Sequence, residues 1–238
     1  MREQEVMRIN ALFLFDIDGT LLRPTPPAHR LALCAAAESV FGVRVAPMDL
    51  QQTAGMLDSA IARRVLRAAG VPHDAIETSL PAFFTAAADA YERYAPPDLR
   101  PFHTPYARPV LEQLTGSDAC LGLVTGSIER IAWSKLRAAS LASYFSAGAF
   151  GDEATERAEL PPLALARMQR QCGRAFAPEA VFVVGDTPAD VACGAASGFR
   201  TVAVATGPVH SLQELRAVGP DYAFADLRGV AMLAATAP

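Results

Sequence analysis

Two regimes of hydrophobic patterning alternate along this chain. The first is the short unbroken apolar run: Leu12–Phe15, Ala119–Val124, Val181–Gly185 and Thr201–Ala205, with briefer pieces at Ala147–Phe150 and Tyr222–Ala225. Runs of this length, bounded by glycine and turn residues, predict strands buried on both faces, as parallel sheets require. The second regime is helical spacing. It covers Ala28–Phe41 stopped by Gly42, Asp58–Ala69 stopped by Gly70, Pro81–Tyr94, Val110–Leu114, Ser127–Ala139, Leu163–Cys172, and Ala189–Ala196 closed by Gly198. From residue 109 onward helix and strand alternate, which predicts an α/β fold with a doubly wound parallel sheet.

Between residues 28 and 94 only helical patterns occur. Arg23-Pro24-Thr25-Pro26-Pro27 precedes this stretch, and a second proline cluster at Pro96, Pro97, Pro101, Pro105 and Pro109 follows it. Stiff hinges around an all-helical insert predict a small second domain rooted in the first. The expected division is an α/β core of residues 1–22 and 101–238 and a helical cap of residues 23–100.

Composition narrows the class. At 238 residues and 51% hydrophobic the chain can bury a large core in one or two domains. A net charge of −4, without a basic run, argues against nucleic acid as a partner. No uncharged apolar segment approaches ~18 residues and no basic start leads into a signal-like run, so a cytoplasmic protein without membrane contact is expected. A monomer or homodimer is expected. Cys34, Cys120, Cys172 and Cys193 show no Cys-x-x-Cys spacing and are expected as free thiols in a reducing compartment. His29, His73, His103 and His210 have no companions at metal spacing.

The candidate chemistry stands where strands end. Leu12–Phe15 runs into Asp16-Ile17-Asp18-Gly19-Thr20, Val124 into Thr125-Gly126-Ser127, and Gly185 into Asp186-Thr187-Pro188-Ala189-Asp190. In an open parallel sheet these ends share one edge, so the three groups can converge. Paired carboxylates beside a buried strand are costly unless a cation or a proton is shared between them. Asp16, Asp186 and Asp190 together would favour a hard, oxygen-liking cation such as Mg²⁺. Thr125-Gly126-Ser127 opens a predicted helix whose first N–H groups and dipole suit a phosphate; the same residues would also serve as an ordinary cap.

Asp16-Ile17-Asp18-Gly19-Thr20 after an apolar strand resembles the first motif of the haloacid dehalogenase superfamily of phosphohydrolases. Thr125 resembles its second motif, and Gly185-Asp186 through Asp190 its fourth. The resemblance, closest to phosphoglycolate phosphatases, implies a Mg²⁺-dependent hydrolysis of a small phosphate monoester. In it Asp16 would be the nucleophile and Asp18 the general acid and base. Asp16, Asp18 (through its carbonyl oxygen) and Asp186 would hold Mg²⁺, with Asp190 and Thr20 supporting. Thr125, Gly126 and a cation would bind the phosphoryl group. The family usually supplies a lysine between the second and fourth motifs. Lys135, the chain's only lysine, lies in that interval, ten residues beyond Thr125. At ~1.5 Å per helical residue that is roughly 15 Å from the phosphate end, so a surface position is expected. Arg157 stands where the lysine belongs and is the expected replacement, since a guanidinium can bind carboxylate and phosphate oxygens together.

Substrate choice would fall to the cap. Its loop Thr53-Ala54-Gly55-Met56-Leu57-Asp58 bends at Gly55, and Asp58 is a candidate N-cap for the next helix. Polar residues commonly stand at the Met56 and Leu57 positions of the family. Their apolar character here predicts a preference for a small apolar ester over a carboxylated one, unless the pair packs inside the cap. His29, at the cap entrance, is either a third specificity residue or a satisfied histidine, and it keeps a sugar phosphomutase as the enzymatic rival. A dehalogenase would need neither Asp18 nor Asp186, and a phosphonate hydrolase would need a cap lysine that is absent. A non-catalytic phospholigand-binding module would be expected to lack one of the acids.

Overall fold

The computed structural model describes residues 10–234. Its centre is a six-stranded, all-parallel sheet in the order β3-β2-β1-β4-β5-β6. The strands are β1 (Leu12–Phe15), β2 (Cys120–Val124), β3 (Gly148–Ala149), β4 (Val181–Gly185), β5 (Arg200–Val204) and β6 (Tyr222–Phe224). The central strand β1 pairs Leu12 with Cys120 on one side and Val181 on the other. All four of its side chains are fully buried, which is why its sequence shows no polar alternation. Phe13 and Phe15 point to one face with Leu123, Phe182 and Val184; Leu12 and Leu14 point to the other with Val124, Val181 and Val183. Phe13 stacks on Phe182 at 4.8 Å between ring centroids.

From β1 the chain builds outward through β2 to β3, then returns to place β4 on β1's opposite side. The reversal puts a crevice beyond the carboxyl ends of β1 and β4, where Asp16 and Asp186 stand.

The helices are α1 (Ala28–Phe41), α2 (Leu50–Thr53), α3 (Asp58–Ala68), α4 (His73–Tyr94), α5 (Ala107–Gly116), α6 (Glu129–Ala138), α7 (Leu160–Cys172), α8 (Pro188–Ala196), α9 (Leu212–Ala217) and α10 (Arg228–Leu233). Helices α1, α3 and α4 build an apolar cluster of their own from Ala32, Ala36, Leu66, Phe83 and Tyr91, joined by Ile128 and Ile131 from beside the sheet. Among the described residues no helix is long and apolar enough to cross a membrane.

Four sequence expectations change. Helix α4 starts at His73, eight residues before Pro81, which lies inside it. An interior proline costs about 3 kcal/mol, yet the buried row Ile76, Leu80, Phe83, Ala87 and Tyr91 runs straight through it. Helix α6 starts at Glu129 rather than Ser127. Helices α2, α9 and α10 carry too little periodicity to stand out, although Ser211 and Glu214 form a capping box that marks the start of α9. Cys120 and Cys172 are disulfide-bonded rather than free, while Cys34 and Cys193 are free thiols. Cys120 opens β2 and Cys172 closes α7, which packs against β2, so residues 52 apart in sequence meet. The inference from free thiols to a reducing compartment loses that support.

Candidate active site

A cavity of about 180 Å³ lies between the sheet edge and the helices α1–α3. Asp16, Asp18, Thr125, Gly126, Arg157 and Asp186 line its floor, so the three strand ends do converge.

Asp16 continues the β1 ladder, its N–H donating to Val184 O at 2.9 Å, and this fixes where its side chain leaves the sheet. Asp16, Asp186 and Asp190 bring carboxylate oxygens within 4.8 Å of one another, all buried. Burial pushes the Asp16 carboxyl up to about 7, helped by the charge of Asp190, against the lowering effect of Arg157. Burial and the charges of Asp16 and Asp190 raise Asp186 well above the usual carboxylate range. Thr20 supports Asp186 with a hydroxyl bond at 3.1 Å. Asp190 is the N3 residue of the α8 capping box; its Oδ2 accepts from the Thr187 N–H and hydroxyl at 3.0 and 2.6 Å.

Arg157, only 10% exposed, reaches this cluster as expected. Its Nη2 donates to Asp190 Oδ1 at 2.5 Å and to Asp16 Oδ1 at 3.3 Å, and its Nη1 to the carbonyl of Gly55 at 3.2 Å. One guanidinium thus pairs with two of the three acids, Asp16 and Asp190. The remaining negative charge, carried on an all-oxygen donor set at the floor of the cavity, fits a small divalent cation.

The Asp18 side is built differently, and here Lys135 corrects the surface expectation. It is 1% exposed, and its ammonium contacts Asp18 Oδ2, His29 Nδ1 at 3.0 Å and Ser127 Oγ at 3.2 Å. Because α6 starts at Glu129, Lys135 lies roughly 9 Å along the helix, and its stem leans back toward the N-terminus. Burial alone would raise the Asp18 carboxyl, but the Lys135 ammonium, with help from His29 and the Ser127 hydroxyl, more than offsets it, and the group is held below its ordinary value. The Asp18 side chain is 46% exposed, toward the cavity.

The phosphate reading of the α6 N-terminus also shifts. Its first donors are occupied by carboxylates: Asp58 Oδ2 accepts from Ile128 N at 2.8 Å, and Asp152 Oδ1 from Glu129 N at 2.9 Å. Thr125, Gly126 and Ser127 form a short loop ahead of the helix, in the cavity wall. A Cβ on Gly126 would meet the Met56 carbonyl oxygen at 2.2 Å, so glycine is required there for the cap loop to close.

Of the cap residues singled out from sequence, Met56 lines the cavity, while Leu57 is buried in the apolar cluster with Leu12, Leu14 and Val124. His29 lines the cavity and is satisfied, its Nε2 lying 2.8 Å from Asp58 Oδ2. Leu57 occupies the N-cap position of α3, and Asp58 instead caps the start of α6 from its own first turn. Gly55 adopts φ +74° at the expected bend. The rest of the cap wall is mostly apolar, from Leu33, Val45, Met48, Ile61 and Val65, with Thr25, Arg30 and Thr53 among it. Arg30 and the true position of Lys135 were missed by sequence reasoning, as were the bonds that Asp58 and Ser127 make to His29, Ile128, Lys135 and Asp18; Arg30, Asp58 and Lys135 do not stand at strand ends.

The fold is that of a parallel α/β protein with an acidic cluster at its sheet edge, and the sequence profile of the haloacid dehalogenase-like hydrolases matches residues 11–198. The chain belongs to that family. Among solved structures it is similar to a predicted phosphoglycolate phosphatase from Haemophilus somnus (20% identity, 95% of this chain and 99% of that one, TM-score 0.67). It is also similar to a hydrolase from Pseudomonas syringae (19%, 91% and 94%, 0.62) and to a beta-phosphoglucomutase from Clostridium difficile (14%, 87% and 88%, 0.64). At such identities these likenesses speak for the fold alone. No curated protein matches the chain.

Proposed function

We propose that this chain is a phosphatase for small phosphate monoesters whose leaving group is mainly apolar. The observation that carries the reading is the convergence of Asp16, Asp18, Thr125, Arg157 and Asp186 on one cavity floor beyond the carboxyl ends of the strands. In the resting site the proton lies on Asp16 and Asp18 is ionised; the proton passes from Asp16 to Asp18 as the phosphate binds. The freed Asp16 carboxylate oxygen attacks phosphorus, the ester P–O bond breaks, and the departing alcohol oxygen takes that proton from Asp18. Water then attacks the aspartyl-phosphate with its proton passing to Asp18, releasing inorganic phosphate and restoring Asp16. Thr125, the Gly126 N–H and Arg157 stabilise the phosphoryl oxygens.

Asp16, Asp186 and the Asp18 carbonyl oxygen would hold Mg²⁺, which when bound neutralises charge on the acids and on the phosphate. The donor set fits it, since Arg157 leaves the acidic cluster short of positive charge.

The apolar wall supports the substrate class. Sugar hydroxyls would face mostly Leu33, Val45, Met48, Ile61 and Val65, with Thr25, Arg30 and Thr53 as the polar side chains among them, which favours hydrolysis of an apolar ester over a sugar phosphomutase. Incubation with p-nitrophenyl phosphate and Mg²⁺ tests the reading. Release of nitrophenolate is expected, lost on chelation; no turnover with Mg²⁺ present overturns it.

A further inference from the structure

Lysine is rarely buried without a specific partner, and the protein's only lysine has three. The Lys135 ammonium has three N–H bonds, and three acceptors surround it: Asp18, His29 and Ser127. Since Nζ can only donate, His29 Nδ1 is the acceptor. The His29 proton therefore sits on Nε2, which donates to Asp58 Oδ2 at 2.8 Å. The same Asp58 oxygen accepts from Ile128 N, and the Asp58 N–H donates to Gly126 O at 2.8 Å. The chain of bonds starts at Asp18 on the sheet edge and enters the helical insert at His29. It returns to the sheet side through Asp58.

At Asp18 both contacts fall on one oxygen. Oδ2 accepts from Lys135 and, at 3.1 Å, from the Ser127 hydroxyl. Neither touches Oδ1. A carboxylate held by one oxygen keeps a fixed rotamer and presents the other.

We propose that Lys135 is a positioning residue: it clamps Asp18 through Oδ2, so that Oδ1 exchanges the proton with the leaving group and with water, and through His29 and Asp58 it makes that clamp depend on the docked helical insert. The inference rests on the phosphatase reading for the role of Asp18. The bonding pattern itself is independent of that reading. Arg157 does not share this task, because its partners are Asp16, Asp190 and Gly55.

The test compares Lys135→Ala in two backgrounds, with p-nitrophenyl phosphate and Mg²⁺. In the wild-type background kcat should fall by about 10²-fold with KM little changed, the order expected when a reacting group is misplaced by about 1 Å. In the Asp18→Asn background the same change should cost almost nothing, because the group it positions is already gone. Methylammonium should restore part of the Lys135→Ala activity, and tetramethylammonium, which has no N–H, should not. Wild-type kcat in Lys135→Ala, or an equal loss in both backgrounds, overturns the proposal. If Lys135→Ala does not fold, Lys135→Met, which keeps the apolar stem, enters the same comparison. The wild-type protein offers a measurement independent of catalysis: ¹⁵N NMR of the histidine rings should show His29 protonated on Nε2 and bare on Nδ1. A proton on Nδ1 overturns the bonding pattern. Failure of wild-type turnover, with the His29 tautomer as expected, would instead count against the phosphatase reading alone.

Discussion

The two sides of the cavity floor solve the same problem in opposite ways. On the Asp16 side three buried acids stand together, one guanidinium pairs with Asp16 and Asp190, and burial drives Asp16 and Asp186 upward. On the Asp18 side one acid faces an ammonium and a hydroxyl, and it is held below its ordinary value. The first side is electrostatically unfinished, and the second is complete. A group meant to meet a cation and a phosphate must not be neutralised in advance by the protein. A group meant to hand over a proton at a fixed place must be held there. Breaking one side should therefore resemble losing chemistry, and breaking the other should resemble losing aim.

The largest effect is expected from Asp16→Asn, which removes the nucleophile and a cation ligand together. Turnover of p-nitrophenyl phosphate should vanish while the circular dichroism spectrum stays unchanged. Asp18→Asn should slow the reaction by about 10²–10⁴-fold, the usual worth of general acid–base help. Comparable activity in wild type and Asp16→Asn would sink the covalent route.

Arg157→Ala comes next. It leaves Asp16 and Asp190 without their shared counter-ion, and breaking a buried pair in this way costs about 3–5 kcal/mol of stability. Turnover should be crippled as well. The comparison predicts a further sign: Mg²⁺ should raise the melting temperature of Arg157→Ala more than that of wild type, because the added cation meets charge that nothing else balances. A smaller Mg²⁺ shift in the variant would mean that Arg157 serves the fold and not the charge of the cluster.

How much of this was legible beforehand follows from where each residue stands. Asp16, Asp18, Thr125, Asp186 and Asp190 follow apolar strands, and a parallel sheet carries all its strand ends to one edge, so their meeting could be read from the pattern alone. Arg157 was found because it was the one cation in its segment. Lys135 was misplaced by counting ten helical residues from Thr125, whereas α6 begins only at Glu129. Four residues of offset and the backward lean of a long side chain turned an apparent surface lysine into a buried one. Leu57 and Met56 are neighbours in sequence, yet one fills the core and the other lines the cavity. A loop has no period from which that difference could be drawn. Pro81 misled for the opposite reason, since a local rule about helix starts was overridden by tertiary burial of a long face.

The pH dependence sharpens the unfinished side without a mutation. Asp16 holds its proton up to about 7 in the folded state, against an ordinary value of 3.8. The folded state therefore binds more protons than the unfolded chain between those values. In the absence of Mg²⁺ stability should fall as pH rises through that window, the contribution being fully present only below it. Mg²⁺ favours the ionised acids and competes with these protons. Its stabilising effect, read by thermal melting, should thus be larger at about pH 8 than at about pH 5. A Mg²⁺ shift independent of pH would show that the cation does not sit on these carboxylates.

The smallest effect belongs to the cavity's cap wall, where the comparison is between apolar residues and the polar ones common in the family. Met56 lines the cavity, and its carbonyl, not its side chain, makes the close approach to Gly126. The side chain can therefore change without disturbing loop closure. Met56→Arg would add a guanidinium able to grip a substrate carboxylate with two bonds. The ratio of kcat/KM for phosphoglycolate to that for an uncharged alkyl phosphate should rise by about tenfold, the equivalent of ~1.4 kcal/mol. Arg30 makes the experiment sharper, because it already lines the same cavity, with the Met48 carbonyl 3.3 Å from its Nη1. If Arg30 were a carboxylate partner, wild type would prefer phosphoglycolate at the outset, and Arg30→Met would abolish that preference. A wild-type preference for the alkyl ester, moved toward phosphoglycolate by Met56→Arg, would leave the apolar wall as the selector.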